Sequence, residues 1–394
     1  MDQPVRADVT TVERVEDFEA FLRLRTAWND LLAESGADRP FLTWEWLFTW
    51  WKHLGGGRRL YLLLVRRGGE LIALAPLSSR RRGVSGLLSL PMLEFLGAGE
   101  VGSDYLDLIV RRGREEIVAR AIAEHLHEGD VMLDLRQLTR NGCVVRALAG
   151  RLRALGWAQS ETAPDVCPFI RLSGHSWETY LASLGPRHRY NFRRRLRALQ
   201  KRFDVRLHRA DSGQERHDAF ELLVSMHNLR WSQRGGSTAL HTPPLVAFHR
   251  EAIEEASGRG WLRLLILMLD GSPAAILYGF LYRRVFYFYQ SGFDLRFCKD
   301  SVGLVTLGLA IKSAIEEGAE EFDLLHGSEP YKFQWAREVR ELQRLELYPP
   351  HARGVVSRAA AELVRNVRGV ARRLLPGAAA TTDPAWEAWV DVDP

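Results

Sequence analysis

Two stretches of the chain share a pattern of apolar and polar positions that is typical of β-hairpins. Residues 59–79 and 261–281 each consist of an apolar strand, a two-residue turn and a second apolar strand. The turns are Gly68-Gly69 and Asp270-Gly271, and glycine readily adopts the positive φ that a tight hairpin requires. The pattern therefore predicts one antiparallel strand pair in each half of the chain.

Both hairpins are followed by the same succession of elements. Alternating and helix-period patterns predict a third strand, a helix and a short strand, at residues 105–110, 115–127 and 131–135 in the first half and at 284–292, 301–317 and 321–325 in the second. The order is thus repeated about 200 residues later in the chain. A repeat of this length predicts a duplicated α/β domain with mixed, mostly antiparallel sheets.

Further helices are predicted before the hairpins and after the second half. They span residues 15–33, 190–203, 217–231 and 355–375. Pro168 and Gly185-Pro186 punctuate the connection between the halves, and a loose tail is expected from Pro376. We predict domains at 1–170 and 171–350, then a basic amphipathic helix and tail at 351–394.

Length and composition agree with two soluble α/β domains. The chain has 394 residues, of which 46% are hydrophobic and 26% charged, and one core rarely serves more than about 300 residues. There is no apolar run near the ~20 residues of a membrane span and no visible signal peptide. Three widely spaced cysteines argue against a disulfide framework or a metal site. We expect a cytoplasmic location, no metal and no transmembrane segment.

One glycine motif is weighed and set aside. Residues 97–102 form a literal GxGxxG, but a dinucleotide site needs that motif to open a helix directly after a strand. Here an alternating, strand-like segment follows. We interpret the motif as a loop between strands.

A basic run in the second half is the first candidate for binding chemistry. Residues 187–202 hold eight Lys or Arg, and arginine binds phosphate and carboxylate well. The run is either a solvated helix face or an anion site for the phosphates of a substrate, a carrier or tRNA. The candidate substrate-binding residues are Arg187, Arg189, Tyr190, Arg193 and Arg194.

A second cluster lies where a short strand ends. His326, Glu329, Tyr331 and Lys332 follow the strand within seven residues, and α/β sheets often bind ligands beyond the carboxyl ends of strands. Lys332 is one of only five lysines among 54 basic residues. A surface turn with incidental polar residues is the alternative. Tyr289, near the end of strand 284–292, could protonate a leaving group or hold a substrate.

These residues resemble a known family. The segments RHRYNFRRRLRAL, SVGLVTLGLAIKSAIEEG and FDLLHGSEPYKFQW, with PFLTWEWLFTWW in the first half, are similar to GNAT-type acyltransferases of the CelD/BcsL (BioF2-like) class. That class is related to the Fem aminoacyltransferases. The resemblance covers most of residues 41–347 and implies two tandem GNAT-like acyl-CoA N-acyltransferase domains.

The resemblance implies transfer of an acyl group to an amine, with acetyl-CoA as the usual donor. It carries onto Lys332 the role of assisting the transition state. Glu329, Tyr331, His326 and Tyr289 are the other candidate catalytic residues. The second domain is expected to be catalytic. Because the first lacks an EPYK equivalent after its last strand, it is expected to be structural or acceptor-binding. Asp294 and Trp335 complete the expected substrate-binding set.

The donor site departs from the family pattern. CoA-using members carry R/Q-x-x-G-x-G/A before the helix, and its amides cradle the pyrophosphate. Here the corresponding stretch, residues 296–303, keeps only the glycine Gly303. Lys299 and the helix start at Ser301, Val302 and Gly303 could still attract phosphate.

Three functions follow from these residues. The first is an acyltransferase that acts on an amine of a sugar or peptide, in polysaccharide or cell-envelope biosynthesis. The second is a Fem-like transferase that uses aminoacyl-tRNA, and the third is a non-catalytic scaffold with weak peripheral membrane contact through the basic C-terminal helix. No DNA partner is expected.

Overall fold

The computed structural model describes residues 9–81, 90–99, 101–140, 142–232 and 240–374. Within these ranges the chain forms two compact units. The first unit contains the residues up to 164 and those from 342 onward, and the second contains residues 165–341. The loose tail that we predict from Pro376 lies outside the described residues.

The elements of the chain up to residue 154 all belong to the first unit. They are the strands β1 (Thr10–Val15), β2 (Arg59–Arg67), β3 (Glu70–Arg81), β4 (Pro91–Phe95), β5 (Ile109–Val110) and β6 (Met132–Thr139), and the helices α1 (Phe18–Arg23), α2 (Arg25–Ala33), α3 (Trp44–Leu54), α4 (Glu115–His127) and α5 (Cys143–Ala154).

The chain then passes through the second unit and returns to the first. The remaining strands are β7 (Ala158–Arg171), β8 (Val205–Arg209), β9 (Leu262–Leu269), β10 (Ser272–Tyr282), β11 (Val285–Phe293), β12 (Glu321–Asp323) and β13 (Glu338–Tyr348). The remaining helices are α6 (Trp177–Ser183), α7 (Pro186–Arg202), α8 (Gly213–Ser232), α9 (Pro243–Gly258), α10 (Val302–Glu316), α11 (Lys332–Trp335) and α12 (Ala352–Leu374). Strands β7 and β13 each cross a unit boundary.

The two units have the same sheet organisation. Strands of the first unit follow the order β1-β2-β3-β4-β6-β13, and those of the second follow β7-β12-β11-β10-β9-β8. In each unit one pair is parallel, β4 with β6 and β11 with β12, and a helix connects its two members. The other strand pairings described within each unit are antiparallel. The predicted α/β fold, with two similar units and mixed, mostly antiparallel sheets, is therefore confirmed.

Both predicted hairpins are present with the expected turns. The φ angles are +59° at Gly68 and +90° at Gly69, and +49° at Asp270 and +77° at Gly271. Positive φ at both central residues is the type I′ geometry that matches the twist of the flanking strands. The turn sequences thus set both registers.

Two local predictions differ from the structure. The helix predicted over residues 15–33 is two helices that meet at Leu24, with β1 before them. The strand predicted over 105–110 is reduced to β5, because Tyr105 has a φ of +60° and the Leu106 amide donates to the Gln137 carbonyl at 3.0 Å. Main-chain bonding in this loop takes the place of a longer strand ladder.

The core of the second unit positions α7 and α11 against α10. Phe192 and Trp335, both almost fully buried, meet on one side of Gly308, where a Cβ atom would come within 2.2 Å of the Phe192 ring. Their ring centroids are 5.6 Å apart. Glycine at this position therefore permits the close packing of three helices.

The last helix is less enclosed. Val355, Val356 and Leu363 of α12 are 59%, 45% and 64% exposed. Among the described residues, the structure contains no helix whose length and apolar character would allow it to cross a bilayer.

Candidate active site in the second unit

The parallel pairing between strands β11 and β12 is short. Their pairing covers three residue pairs and ends at Tyr287 and Asp323, whereas β11 continues to Phe293 along β10. Tyr289 lies two residues beyond the last pair on β11, and Leu325 lies two residues beyond it on the other side. We call the region beyond the last residue pair the strand opening, because ligands of α/β proteins often bind beyond the ends of parallel strands.

One side of the strand opening is a loop held firmly by main-chain bonds. The amides of Leu324 and Gly327 each donate at 2.9 Å to β7, to the carbonyls of Pro168 and Val166. Leu325 adopts a φ of +56°, a conformation that non-glycine residues avoid unless their surroundings impose it. Its amide donates to Asp323 Oδ1 at 2.8 Å. The 324–327 loop is therefore preorganised.

The side chain of Lys332 binds this loop through hydrogen bonds to its carbonyls. Its side chain is 5% exposed, and its Nζ donates to the carbonyls of His326 at 2.6 Å and Leu325 at 3.3 Å. Glu329 Oε2 lies 3.0 Å from the same nitrogen. Two of the three donors of the ammonium thus bind loop carbonyls, and the Glu329 carboxylate balances its charge. The geometry thus makes Lys332 a residue that holds the loop.

The position of the Glu329 carboxylate beside Lys332 depends on the absence of a side chain at Gly327. Gly327 has a φ of +122°, and a Cβ atom there would lie 2.3 Å from Glu329 Oε2. A side chain at 327 would therefore be strained and would push the carboxylate that pairs with Lys332. The imidazole of His326 is exposed and Tyr331 is half-buried, with Tyr331 packed against the core.

A buried ion-pair network that sequence reasoning missed supports β12. Arg340 of β13 binds both carboxylate oxygens of Glu321 and lies 3.1 Å from Asp323 Oδ2, while its guanidinium carbon lies 3.8 Å from the Phe169 ring centroid. Asp323 is 1% exposed. Its neighbours supply the hydrogen bonds that a buried carboxylate needs, and this fixes the strand from which the loop departs.

The other side of the strand opening is formed around Tyr289. The register of β10 and β11 shifts between the pairs Tyr278–Gln290 and Gly279–Phe288, so that Tyr289 is the extra residue of a β-bulge. Bulges redirect side chains and occur often beside active sites. The Tyr289 ring lies 5.2 Å from that of Tyr278 and 5.3 Å from that of His249.

Burial sets the protonation of the groups behind Tyr289. It lowers the pKa of His249 to about 3, which keeps this imidazole neutral, and it raises the pKa of Tyr278 well above its usual value. Neither side chain was singled out by the sequence, since isolated aromatic residues in apolar segments have no distinctive spacing.

The predicted donor-binding residues lie at the start of α10. Ser301 has a φ of +53° and gives no side-chain cap to the helix. Ser301, Val302 and Leu304 are 7%, 1% and 2% exposed, and Gly303 is also buried. Lys299 is exposed in the preceding 3-10 segment. Asp294 caps that segment and pairs with Arg296, whose hydrogen bond lowers the pKa of the Asp294 carboxyl.

The helix α7 separates the predicted basic residues from a buried aromatic face. Phe192 and His188 face inward, and the His188 ring lies 4.5 Å from that of Trp335 at right angles to it. Burial lowers the pKa of His188 to about 4, although a hydrogen bond with Gln334 opposes this. Trp335 accepts a hydrogen bond at its carbonyl from the Tyr180 hydroxyl, at 3.0 Å. The Trp335 ring belongs to the core. Its contacts with the His188 and Phe192 rings join α7 to residues 328–335, which we call the Lys332 turn.

An open space of about 540 Å³ borders the outer face of α7, and we call it the α7 groove. Its lining includes Arg189, Tyr190, Arg193, Arg194, Arg197 and Lys201. Tyr190 is 68% exposed, and Arg187 is exposed at the start of the helix. The C-terminal half of α7 packs on the start of α10 through Leu199, Val302 and Val305. The basic face and the predicted donor site therefore adjoin.

The second unit thus brings the predicted residues into three neighbouring groups, around the strand opening, at the start of α10 and along the α7 groove. Within the described part of the chain, no group of three or more His, Cys, Asp or Glu residues could hold a metal ion. The chemistry available at the strand opening is that of a tyrosine hydroxyl, a fixed loop and the main chain of separated strands.

Comparisons with known proteins agree with this geometry. Residues 186–333 match the family model of the acetyltransferase (GNAT) domain. Comparison with curated proteins gives no match. The chain is similar in structure to FemX, with a TM-score of 0.57, 12% identity and coverage of 81% of this chain and 95% of that one.

Two further solved structures share the fold. A conserved protein of unknown function from Bacteroides thetaiotaomicron gives a TM-score of 0.55 at 11% identity, over 86% of this chain and 99% of that one. The C-terminal DUF2156 domain of a putative lysylphosphatidylglycerol synthetase from Agrobacterium fabrum gives 0.52 at 10% identity, over 88% and 95%. At such identities the likeness concerns the fold.

The matched segment runs from α7 to the Lys332 turn and so contains the α7 groove, the strand opening and the start of α10. The chain therefore carries an acetyltransferase (GNAT) domain at residues 186–333, and its fold is similar to that of FemX.

Proposed function

We propose that this protein transfers an acyl group, acetyl in the simplest case, from a coenzyme A thioester to an amine of a sugar or peptide in polysaccharide or cell-envelope biosynthesis. The second unit is the catalytic one, and the reaction takes place in the cytoplasm, where such thioesters are made. The observation that carries the proposal is the strand opening, in which β11 and β12 separate beside a preorganised loop.

Acyl transfer to an amine needs a proton donor for the leaving group and groups that hold the thioester, and the strand opening offers candidates for both. A neutral amine attacks the thioester carbonyl, the carbon–nitrogen bond forms and the carbon–sulfur bond breaks. The leaving thiolate takes up one proton and the nitrogen gives one up, so that the products are an amide and a neutral thiol. Tyr289 stands on the bulge at the opening, where its hydroxyl would protonate the departing thiolate. Main-chain groups of the separated strands would hold the thioester arm and stabilise the developing oxyanion.

The neighbouring residues have supporting roles in this proposal. Lys332, with Glu329, keeps the 324–327 loop in its strained path, and its charge lies beneath the loop carbonyls. His326 and Tyr331 lie on the same turn as candidates for acceptor contact. The start of α10, Lys299 and Asp294 would contact the donor, and Trp335 packs the turn against α7.

Hydrogen bonds within the first unit favour a structural or acceptor-binding role for this unit, rather than a catalytic one. Its parallel strands β4 and β6 are paired at Met92–Met132 and Leu93–Leu133. Beyond that point the loop before β5 bonds to β6, because Gln137 accepts the amide of Leu106 and donates from Nε2 to Asp104 Oδ1 at 2.9 Å. The chain itself thus occupies the place that the strand opening has in the second unit, which supports our assignment of catalysis to the second.

Thiol release from acetyl-CoA, with glucosamine and lysine as amines, tests the proposal. The full chain is expected to release thiol in an amine-dependent way, and Tyr289→Phe to lower kcat about 100-fold, within the usual range for a general acid. Tyr282→Phe, on the adjacent strand, is the control. An enzyme that neither consumes acetyl-, butyryl- or palmitoyl-CoA nor gains thermal stability from them would refute the proposed donor.

A second candidate function is a Fem-like transfer from aminoacyl-tRNA. It is favoured by the eight cations of α7 and by the likeness of fold to FemX. Binding through phosphate contacts weakens steeply with salt, so activity with charged tRNA should collapse between about 50 and 200 mM salt. Salt-insensitive turnover with free acyl-CoA would exclude this candidate.

A further inference from the structure

The outer face of α7 has a charge pattern that differs from the rest of the chain. The helix carries eight Lys or Arg and no acidic residue, whereas the whole chain has a net charge of only +5. The remainder of the chain is therefore net acidic. So concentrated a charge on one helix indicates a polyanionic partner.

Several of these cations have no partner within the chain as described. Arg187, Arg193, Arg197 and Lys201 are exposed and make no ion pair or hydrogen bond with the described residues. Elsewhere in the same unit, exposed or half-exposed arginines pair with acids, as Arg206 does with Asp204 and Arg284 with Glu320. The α7 cations are thus available to another molecule.

The spacing of the groove cations fits a helical protein partner. Arg189, Arg193, Arg197 and Lys201 recur every four residues, so that they form a stripe with steps of about 6 Å over roughly 18 Å. Acidic residues on an approaching helix have the same period. Tyr190 and Ala198, which also line the groove, add apolar contact between the charges.

A nucleic acid fits this surface less well. Recognition of single-stranded or looped RNA uses aromatic side chains on which bases stack. On α7 the aromatic residue in the groove is Tyr190, since Phe192 is buried in the core.

The start of α10 indicates what kind of donor is presented. Its first residues, Ser301, Val302 and Leu304, are at most 7% exposed, and the carboxylate of Asp300, paired with Arg202, precedes them. Compared with a glycine-rich turn and no adjacent acid, this helix start contributes less to the binding of a diphosphate, so the adenosine diphosphate of coenzyme A adds little affinity here. A donor with a phosphopantetheine arm but no adenosine diphosphate therefore loses little affinity at this position.

From these observations we propose that the α7 groove docks an acidic acyl carrier protein, which presents its phosphopantetheine thioester to the strand opening. The inference rests on the proposed function, because carrier and coenzyme A share the same arm and the same chemistry. The acceptor amine forms a bond to the acyl carbon, the carbon–sulfur bond breaks, and the carrier leaves with its thiol protonated.

The test compares two thioesters and two double variants of the full chain. The thioesters are a bacterial acyl carrier protein loaded with acetyl-phosphopantetheine and free acetyl-pantetheine. Arg197→Glu with Lys201→Glu reverses the charge of the groove. Arg206→Glu with Arg284→Glu makes the same change in net charge at other exposed sites and serves as the control. Binding of the holo-carrier is measured by calorimetry beside kcat/KM.

Groove reversal is expected to lower kcat/KM for the loaded carrier at least 30-fold and to abolish holo-carrier binding, while acetyl-pantetheine turnover stays within twofold and the control pair behaves like wild type. Equal losses with both thioesters, or a carrier reaction that reversal leaves unchanged, would overturn the docking site. So would groove-dependent use of charged tRNA in place of the carrier.

The two proposals can fail separately. Groove-dependent binding of the holo-carrier without turnover of any thioester would retain the docking site and reject the proposed reaction. Turnover of acetyl-CoA without carrier binding would retain the reaction and reject the docking site.

Discussion

Replacement of Lys332 by Met tests whether this lysine holds the 324–327 loop. The change keeps most of the side-chain volume and removes three polar contacts, two to carbonyls and one to Glu329. A hydrogen bond from a charged donor contributes about 1.5–3 kcal/mol, and unsatisfied buried carbonyls add to the loss. The side chain of Glu329 is 31% exposed, so solvent screens its ion pair with Lys332 and reduces the contribution of that pair to stability.

The expected loss of unfolding free energy for Lys332→Met is therefore about 3 kcal/mol. The matched control is Lys312→Met, because Lys312 is 42% exposed and lies 3.6 Å from Glu316 one turn along α10. Exposed pairs of this kind contribute about 0.3–0.5 kcal/mol, and the control should stay within 0.5 kcal/mol of wild type.

Urea denaturation followed by tryptophan fluorescence measures both variants, since Trp335 lies in the core beside the affected turn. The transition of the second unit should move to lower urea in Lys332→Met alone. If the two variants lost the same small amount, the enclosed ammonium would not be what holds the loop, and our account of the turn would be wrong.

Two other predictions concern packing and pH. Gly308→Ala should destabilise the protein by about 1–2 kcal/mol in chemical denaturation, because the added methyl group would overlap the Phe192 and Trp335 rings; Gly258→Ala, with open space around it, should not, and equal effects would contradict this packing argument. Burial raises the pKa of Asp107 to about 7. Since the folded state then holds this proton more tightly than the unfolded one, Asp107 contributes stability below about pH 4 that is lost as the pH rises through 7. Thermal unfolding from pH 4 to 8 should show this decline in wild type and a weaker one in Asp107→Asn; identical profiles would contradict it.

Local chemistry made part of this fold predictable from the sequence. Gly68-Gly69 and Asp270-Gly271 need positive φ, so their hairpins could be placed to within a residue or two. The Lys332 cluster stood out because a rare lysine followed a strand end. The structure adds the enclosure of its ammonium, which depends on the left-handed backbone of Leu325, and leucine gives no sequence signal for that conformation.

Contacts between residues far apart in the chain could not be predicted from the sequence patterns. The Tyr289 bulge depends on a register shift between β10 and β11, which alternation of apolar residues does not encode. The buried pair of Asp323 with Arg340 joins two strands that the periodicity treats separately. Such contacts arise from tertiary packing, which overrides local preference.

The path of β13 has a consequence for biosynthesis. Its residues from Leu342 pair with β6, and Arg344 binds both carboxylate oxygens of the fully buried Asp134. The first unit therefore lacks one of its strands, and Asp134 lacks its partner Arg344, until the ribosome has translated the entire second unit. The part of the chain that is made first is thus completed last, and a nascent polypeptide that stops before Leu342 exposes the edge of β6 to other chains.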